Sequence, residues 1–178
     1  MRSAIRHLDC GGVIAYPTEA IFGLGCDPEN GSAIEYLLRM KQRSSDKGLI
    51  LIASEFNQLL PYIEVGSITN LNRVLGSWPG PVTWLIKARP TVCAWLRGRH
   101  EAIAVRVTAH PIASELSRRY GKPLVSTSAN PSGTTPARTA LKTRLYFSGH
   151  DLFIVDGATG GAARPSAIID AQTLQRIR

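Results

Sequence analysis

Short apolar runs recur along the chain, and proline or glycine cuts most of them off. They fall at residues 13–16 (before Pro17), 48–53, 82–88 (after Pro81), 102–107, 124–125, 152–156 and 166–170. Runs of this length, rich in Val and Ile and bounded by turn formers, read as strands. Between them lie stretches with apolar residues three and four apart, which read as helices: 3–10, 32–41, the short segments 54–60, 68–75 and 92–96, then 110–120 and 138–147. Ser32-Ala33-Ile34-Glu35 has the form of a capping box, and Gly121 suits the C-cap of the helix that His110-Pro111 starts. Strands and helices alternate without repeats or linkers. That pattern predicts one α/β domain over residues 1–178, built on a twisted mixed sheet with flanking helices.

The chain has 178 residues, enough for one domain with a sizeable core. No apolar run approaches membrane-spanning length, and the first residues lack the apolar core of a signal peptide. Cys10, Cys26 and Cys93 are odd in number and far apart, as expected of reduced thiols in a cytoplasmic protein. The four histidines have no metal-ligand spacing. With 21 Lys+Arg against 13 Asp+Glu, the formal charge of +8 favours anionic partners without choosing among nucleotides, phosphates and nucleic acid.

The chemistry concentrates at the ends of these elements. After the run at 124–125 the chain becomes Ser126, Thr127, Ser128, Ala129 and Asn130, with Gly133, Pro136 and Arg138 behind. Small hydroxyls and an amide let a ligand approach the backbone and offer it donors and acceptors; a solvated turn is the plain alternative. Thr18 and Glu19 follow the first strand. Gly23-Leu24-Gly25 lacks the third glycine of a dinucleotide loop, so these glycines are read as a bend or a close approach of backbone. Lys41, Arg43 and Lys47 lie between a helix end and a strand. The helix dipole accounts for the first two but not for Lys47, and a polyphosphate clamp would account for all three. Arg106 stands inside an apolar strand, where a cation needs an anion, either an internal carboxylate or that of a ligand. Trp78 and Trp84 read as packing residues. There is no phosphate loop, HExxH helix, G-x-S-x-G elbow or CxxC pair. What remains suits an anionic substrate bound by positioning and charge neutralisation, which with a metal ion is what nucleotidyl transfer needs.

Several segments together resemble the YrdC family, and within it the short bacterial threonylcarbamoyl-AMP synthases. They are Ala15-Tyr16-Pro17-Thr18-Glu19-Ala20-Ile21-Phe22-Gly23-Leu24-Gly25, Lys41-Gln42-Arg43, Asp46-Lys47-Gly48-Leu49-Ile50-Leu51 and Trp78-Pro79-Gly80-Pro81-Val82-Thr83. Ala104-Val105-Arg106-Val107, Gly121-Lys122-Pro123-Leu124-Val125-Ser126-Thr127-Ser128-Ala129-Asn130, and Pro165-Ser166 with Asp170 complete the set, in family order. The resemblance implies a single YrdC-like domain with a deep basic cavity. It implies a reaction in which L-threonine, bicarbonate and ATP (with Mg2+) give threonylcarbamoyl-AMP and pyrophosphate. Other tRNA threonylcarbamoylation proteins would then use the product, with tRNA or double-stranded RNA as a direct partner. By resemblance, Lys41 and Arg43 are catalytic and lie at the ATP phosphates, and Lys47, Ser126, Asn130, Arg138 and Arg176 are on the nucleotide side. Thr18, Arg106, Ser128 and Ser166 surround threonine, with no metal ligand among the side chains. Ser44-Ser45 stands where the family usually has proline. Two rival readings are a non-enzymatic RNA-binding module, and an ATP-hydrolysing or carbamoyl-phosphate-handling enzyme with the same pocket.

Overall fold

The computed structural model describes residues 1–177. One eight-stranded sheet runs through it in the order β7-β1-β2-β6-β3-β5-β4-β8. The strands are β1 (Val13–Pro17), β2 (Phe22–Gly25), β3 (Ile50–Ala53), β4 (Val82–Lys87), β5 (Ala102–Val107), β6 (Leu124–Ser128), β7 (Leu152–Ile154) and β8 (Ala167–Asp170). The pairs β1/β7, β3/β5 and β4/β8 are parallel and the other four antiparallel, so the sheet is mixed as expected. The helices are α1 (Arg2–Asp9), α2 (Gly31–Lys41), α3 (Leu71–Gly76), α4 (Ala94–Arg97), α5 (Pro111–Tyr120) and α6 (Ala140–Tyr146).

Three stretches differ from the sequence reading. Phe22–Gly25 is a strand that the sequence reading did not include, and of the two roles given to its glycines, a bend or a close approach of backbone, the second is the one seen. It is fully buried between β1 and β6, and at Gly25 any Cβ would lie 2.3 Å from the Val125 carbonyl oxygen. Glycine is there to let two backbones meet, and the strand rests on pairing rather than on propensity. Helix α2 starts at Gly31, and its cap is Asn30, whose side chain accepts from the Ala33 N–H at 3.0 Å. The Ser32–Glu35 box is not used, because Asn30 is the N-cap and Ser32 already lies inside the first turn. The segment expected as two short helices over 54–60 and 68–75 is made of 3-10 turns at Phe56–Leu59 and Val65–Ser67, followed by α3.

The period-two alternation of the strands builds two cores. Val13, Ala15, Leu51, Val105 and Val107 face a large cluster with Ile34 and Leu37 of α2 and Trp84 of β4. Ile14, Tyr16, Ile52 and Leu124 point the other way and are covered by Ala4 and Leu8 of α1 and by Ala113 and Leu116 of α5. Those two helices cover only part of that face. Over the remainder the same alternation places Ala102, Ala104 and Arg106 of β5, Ser126 and Ser128 of β6, and Ile168 and Asp170 of β8 along a cavity of about 800 Å3. The small alanines keep its floor low.

Candidate functional site

The cavity gathers residues from across the sequence: Thr18, Arg43, Lys47, Arg106, Ser126, Ser128 and Ser166 all line it. The strand register sets their order. Arg43 and Lys47 precede β3, and β3 runs parallel to β5 with Ile50 opposite Ala104 and Ile52 opposite Arg106. The cations therefore enter where β3 and β5 begin. Arg106 lies four residues beyond Ala102, roughly 13 Å further along the strand at 3.3 Å per residue. The cavity has a cationic end and an end built around Arg106.

Arg106 has an internal carboxylate partner. Its guanidinium lies 3.2 Å from Glu19 Oε2, and the two side chains are only 8% and 13% exposed. Glu19 is fixed at its other oxygen, which accepts from Thr108 Oγ1 at 2.7 Å and from the Ala109 N–H at 3.1 Å. The guanidinium makes no hydrogen bond among the described residues, and its Nε is buried without a partner. The guanidinium donors not facing Glu19 give Arg106 the capacity to take a second, planar anion. Around it, Thr18 Oγ1 donates to the Ile21 carbonyl at 2.8 Å, and the Ser166 and Thr83 hydroxyls meet at 2.8 Å. The loop before Ser166 lies across the Thr18–Glu19 turn, since the Gly160 and Ala162 N–H groups donate to the Thr18 and Glu19 carbonyls at 3.0 and 2.8 Å.

At the other end, Gln42 closes α2 in the left-handed conformation (φ 51°), which turns Arg43 away from the helix. Arg43 donates to the Gly48 carbonyl at 3.0 Å while its buried Nε has no partner, and burial lowers its pKa from the usual arginine range. Lys41 behaves differently. It is fully buried, and its ammonium donates to the Asn130 carbonyl at 2.7 Å and to the Ser128 carbonyl. Burial, with the nearby Arg43 charge second, pulls its pKa down to about 8. The Ser132 N–H and hydroxyl donate back to the Lys41 carbonyl, each at 2.9 Å. Lys41 therefore joins the end of α2 to the turn that presents Ser128, and it lies off the cavity wall.

Three further residues of the expected site also lie off that wall. Asn130 is buried and uses its amide on the Pro131 and Thr134 carbonyls at 2.9 and 2.7 Å, while its Oδ1 has no partner. Exposed Arg138 donates to the Ala163 carbonyl at 3.1 Å and ties the start of α6 to the loop before Ser166. Exposed Arg176 pairs with Ile169 beside β8. The structure also adds residues that the sequence reading passed over: Glu19 as the counter-ion of Arg106, and Arg97, Arg99 and Arg164 on the wall. The compact run Arg97-Gly98-Arg99-His100 was the one available signal for two of them.

A family model described as telomere recombination, covering the Sua5, YciO and YrdC proteins, matches residues 6–178. The threonylcarbamoyl-AMP synthase of Nitrosococcus oceani is 52% identical over 178 residues, which are 100% of this chain and 96% of the relative. The protein of that name from Klebsiella pneumoniae is 52% identical over 168 residues, 93% of this chain and 88% of the relative. Among solved structures, P. abyssi Sua5 complexed with L-threonine aligns with a TM-score of 0.86 at 28% identity, over 95% of this chain and 50% of that one. The chain thus spans about half the length of the Sua5 structures it matches. E. coli YciO aligns with a TM-score of 0.79 at 26% identity, over 94% of this chain and 82% of that one.

Proposed function

This chain belongs to the Sua5/YciO/YrdC family, and we propose that it is a threonylcarbamoyl-AMP synthase, a nucleotidyltransferase acting on L-threonine, bicarbonate and ATP. The observation that carries this reading is the layout of the cavity. An under-coordinated arginine fork with hydroxyls around it stands at one end, Arg43 and Lys47 stand at the other, and Ser126 and Ser128 lie on the floor between them. An amino acid carboxylate suits the first end and a triphosphate the second. Curated relatives that carry the synthase name cover almost the whole chain.

In the proposed reaction the threonine carboxylate lies on Arg106, with Thr18, Ser128 and Ser166 around it. The free amine and bicarbonate give a carbamate and water, and a carbamate oxygen attacks the α-phosphorus in line with the departing pyrophosphate. Arg43 and Lys47 offset the charge that builds on the leaving group. Lys41 acts by fixing the Ser128–Asn130 turn, Asn130 and Arg176 support the nucleotide side from outside the cavity wall, and Arg138 steadies the loop before Ser166. Magnesium comes as part of the MgATP substrate, on phosphate oxygens and water. Of the three carboxylates on the wall, Glu19 is held by Arg106, Asp170 Oδ1 accepts from the Gln172 and Thr173 N–H groups at 2.8 and 2.9 Å, and Glu101 stands apart from both. The product is a mixed anhydride, so a separate acyl-transfer reaction on tRNA must consume it. A cytoplasmic location and direct contact with tRNA belong to the same proposal. No helix of the described residues is long and apolar enough to cross a membrane.

The test is pyrophosphate release from ATP in Mg2+ buffer, with and without L-threonine and bicarbonate. Release that needs both, with AMP in the product, is expected. Release without threonine would move the assignment to an ATP hydrolase. No release under any condition, with RNA bound at low salt, would move it to a binding module.

A further inference from the structure

Two loops flank the cationic end of the cavity and are locked together backbone to backbone. One carries Arg43 and Lys47 into β3, and the other carries Arg97 and Arg99 into β5. The Leu49 N–H donates to the Leu96 carbonyl at 2.8 Å, and the Arg99 N–H to the Asp46 carbonyl at 3.2 Å. Each loop places a left-handed glycine against the other. A Cβ on Gly98 (φ +67°) would lie 2.2 Å from the Asp46 oxygen and 2.6 Å from the Gly48 nitrogen. A Cβ on Gly48 (φ +60°) would lie 2.9 Å from the Arg97 oxygen. Neither position tolerates a side chain, both for its conformation and for lack of room. The contact brings Arg97 and Arg99 to the same wall as Arg43 and Lys47. Asp46 is paired with Arg99 at 2.9 Å, and Glu101 is the carboxylate that shares this part of the wall. Arg97 is steadied by donating to the His100 carbonyl at 3.1 Å.

We propose that Arg97 and Arg99 form the second half of a polyphosphate site, completing with Arg43 and Lys47 a cationic arc that holds the two terminal phosphoryl groups of ATP and then the pyrophosphate that leaves. This deepens the nucleotide end of the reading above and rests on it. The glycine lock is what makes the arc one body: it fixes the spacing of cations contributed by loops about fifty residues apart in sequence. Arg99 serves both by its own charge and by neutralising Asp46, which would otherwise repel the phosphates. These residues are positioning groups for the phosphates, with no part in binding threonine.

The experiment titrates inorganic pyrophosphate, and separately L-threonine, into the full chain by calorimetry at fixed Mg2+ and ionic strength. The proteins are wild type, Arg97→Ala, Arg99→Ala, the double variant, and Arg97→Lys/Arg99→Lys. Each alanine should weaken pyrophosphate binding roughly five-fold, the size of an exposed charge contact, and the double variant at least ten-fold. Threonine affinity should stay within two-fold, and the lysine pair should recover most of the loss. The KM for ATP should rise by the same factor, and weakened pyrophosphate inhibition with an unchanged KM for ATP would overturn the claim that the arc holds the bound nucleotide. Unchanged pyrophosphate binding in the double variant overturns the proposal, as does a parallel loss of threonine binding. A wild type that binds pyrophosphate but releases none from ATP, threonine and bicarbonate would sink the synthase reading and leave this site standing.

Discussion

The Arg106–Glu19 pair can be tested by a double-mutant cycle read as stability. Arg106→Met leaves the Glu19 carboxylate, 13% exposed, without a cation. Breaking a buried pair from one side costs about 3–5 kcal/mol. Glu19 Oε1 keeps Thr108 and Ala109, so the lower end, about 3 kcal/mol, is expected. Glu19→Gln costs less, about 1–2 kcal/mol, because an amide oxygen can still accept from Thr108 and Ala109 and the guanidinium fronts an open cavity. The double variant should cost about 2 kcal/mol less than the sum of the singles, since it leaves neither charge alone. Urea unfolding of the four proteins gives the values. For a chain of 178 residues the Arg106→Met loss also appears as a fall in Tm of about 6–12 °C. Singles that add within about 0.5 kcal/mol would refute the reasoning, because the two charges would then be solvated separately and Arg106 would not be held for a ligand by Glu19.

Other consequences are as direct. Arg43→Ala should abolish nucleotide-dependent turnover while leaving the unfolding midpoint nearly unchanged; turnover near the wild-type rate would remove Arg43 from the phosphate end. Lys41 is lowered from 10.5 to about 8, so between those values the unfolded chain holds a proton that the native chain lacks, and stability should rise with pH by about 1.4 kcal/mol per unit. Cys26, together with Tyr16, Tyr62 and Tyr120, is shifted upward chiefly by burial and acts in the opposite sense above pH 9. The Lys41 contribution is therefore read from pH 8 to 9, as the slope of wild type minus that of Lys41→Met; a zero difference would mean that its ammonium is not desolvated. Gly25→Ala should destabilise by more than the roughly 1–3 kcal/mol of ordinary overpacking, because its Cβ meets the Val125 carbonyl oxygen rather than a flexible side chain. A loss below about 1 kcal/mol in urea unfolding would show that β2 and β6 can part freely.

Periodicity alone determined the mixed α/β domain, most of the strands, and helices α1, α2 and α5, because burial on one side of a strand or helix leaves its period in the sequence. It also marked Arg106, since a cation on an alternating apolar strand needs an explanation that only an anion gives. The family motifs marked Thr18, Arg43, Lys47, Ser126, Ser128 and Ser166, all of which reach the cavity. Strand β2 was not legible, because Gly25 is selected by contact with Val125, a residue about a hundred positions away. The partner of Arg106 was equally hidden, since nothing near Glu19 in sequence says that β5 passes beside it. Lys41 reads in the sequence as part of a phosphate clamp and in the structure is a buried brace, because the carbonyls it holds belong to a turn nearly ninety residues further on. The arc of Arg97 and Arg99 exists only because β3 and β5 pair in parallel and bring two loops to one edge of the sheet. Local pattern decides which elements form, whereas strand pairing across long separations decides which charges meet, and this site is a matter of which charges meet.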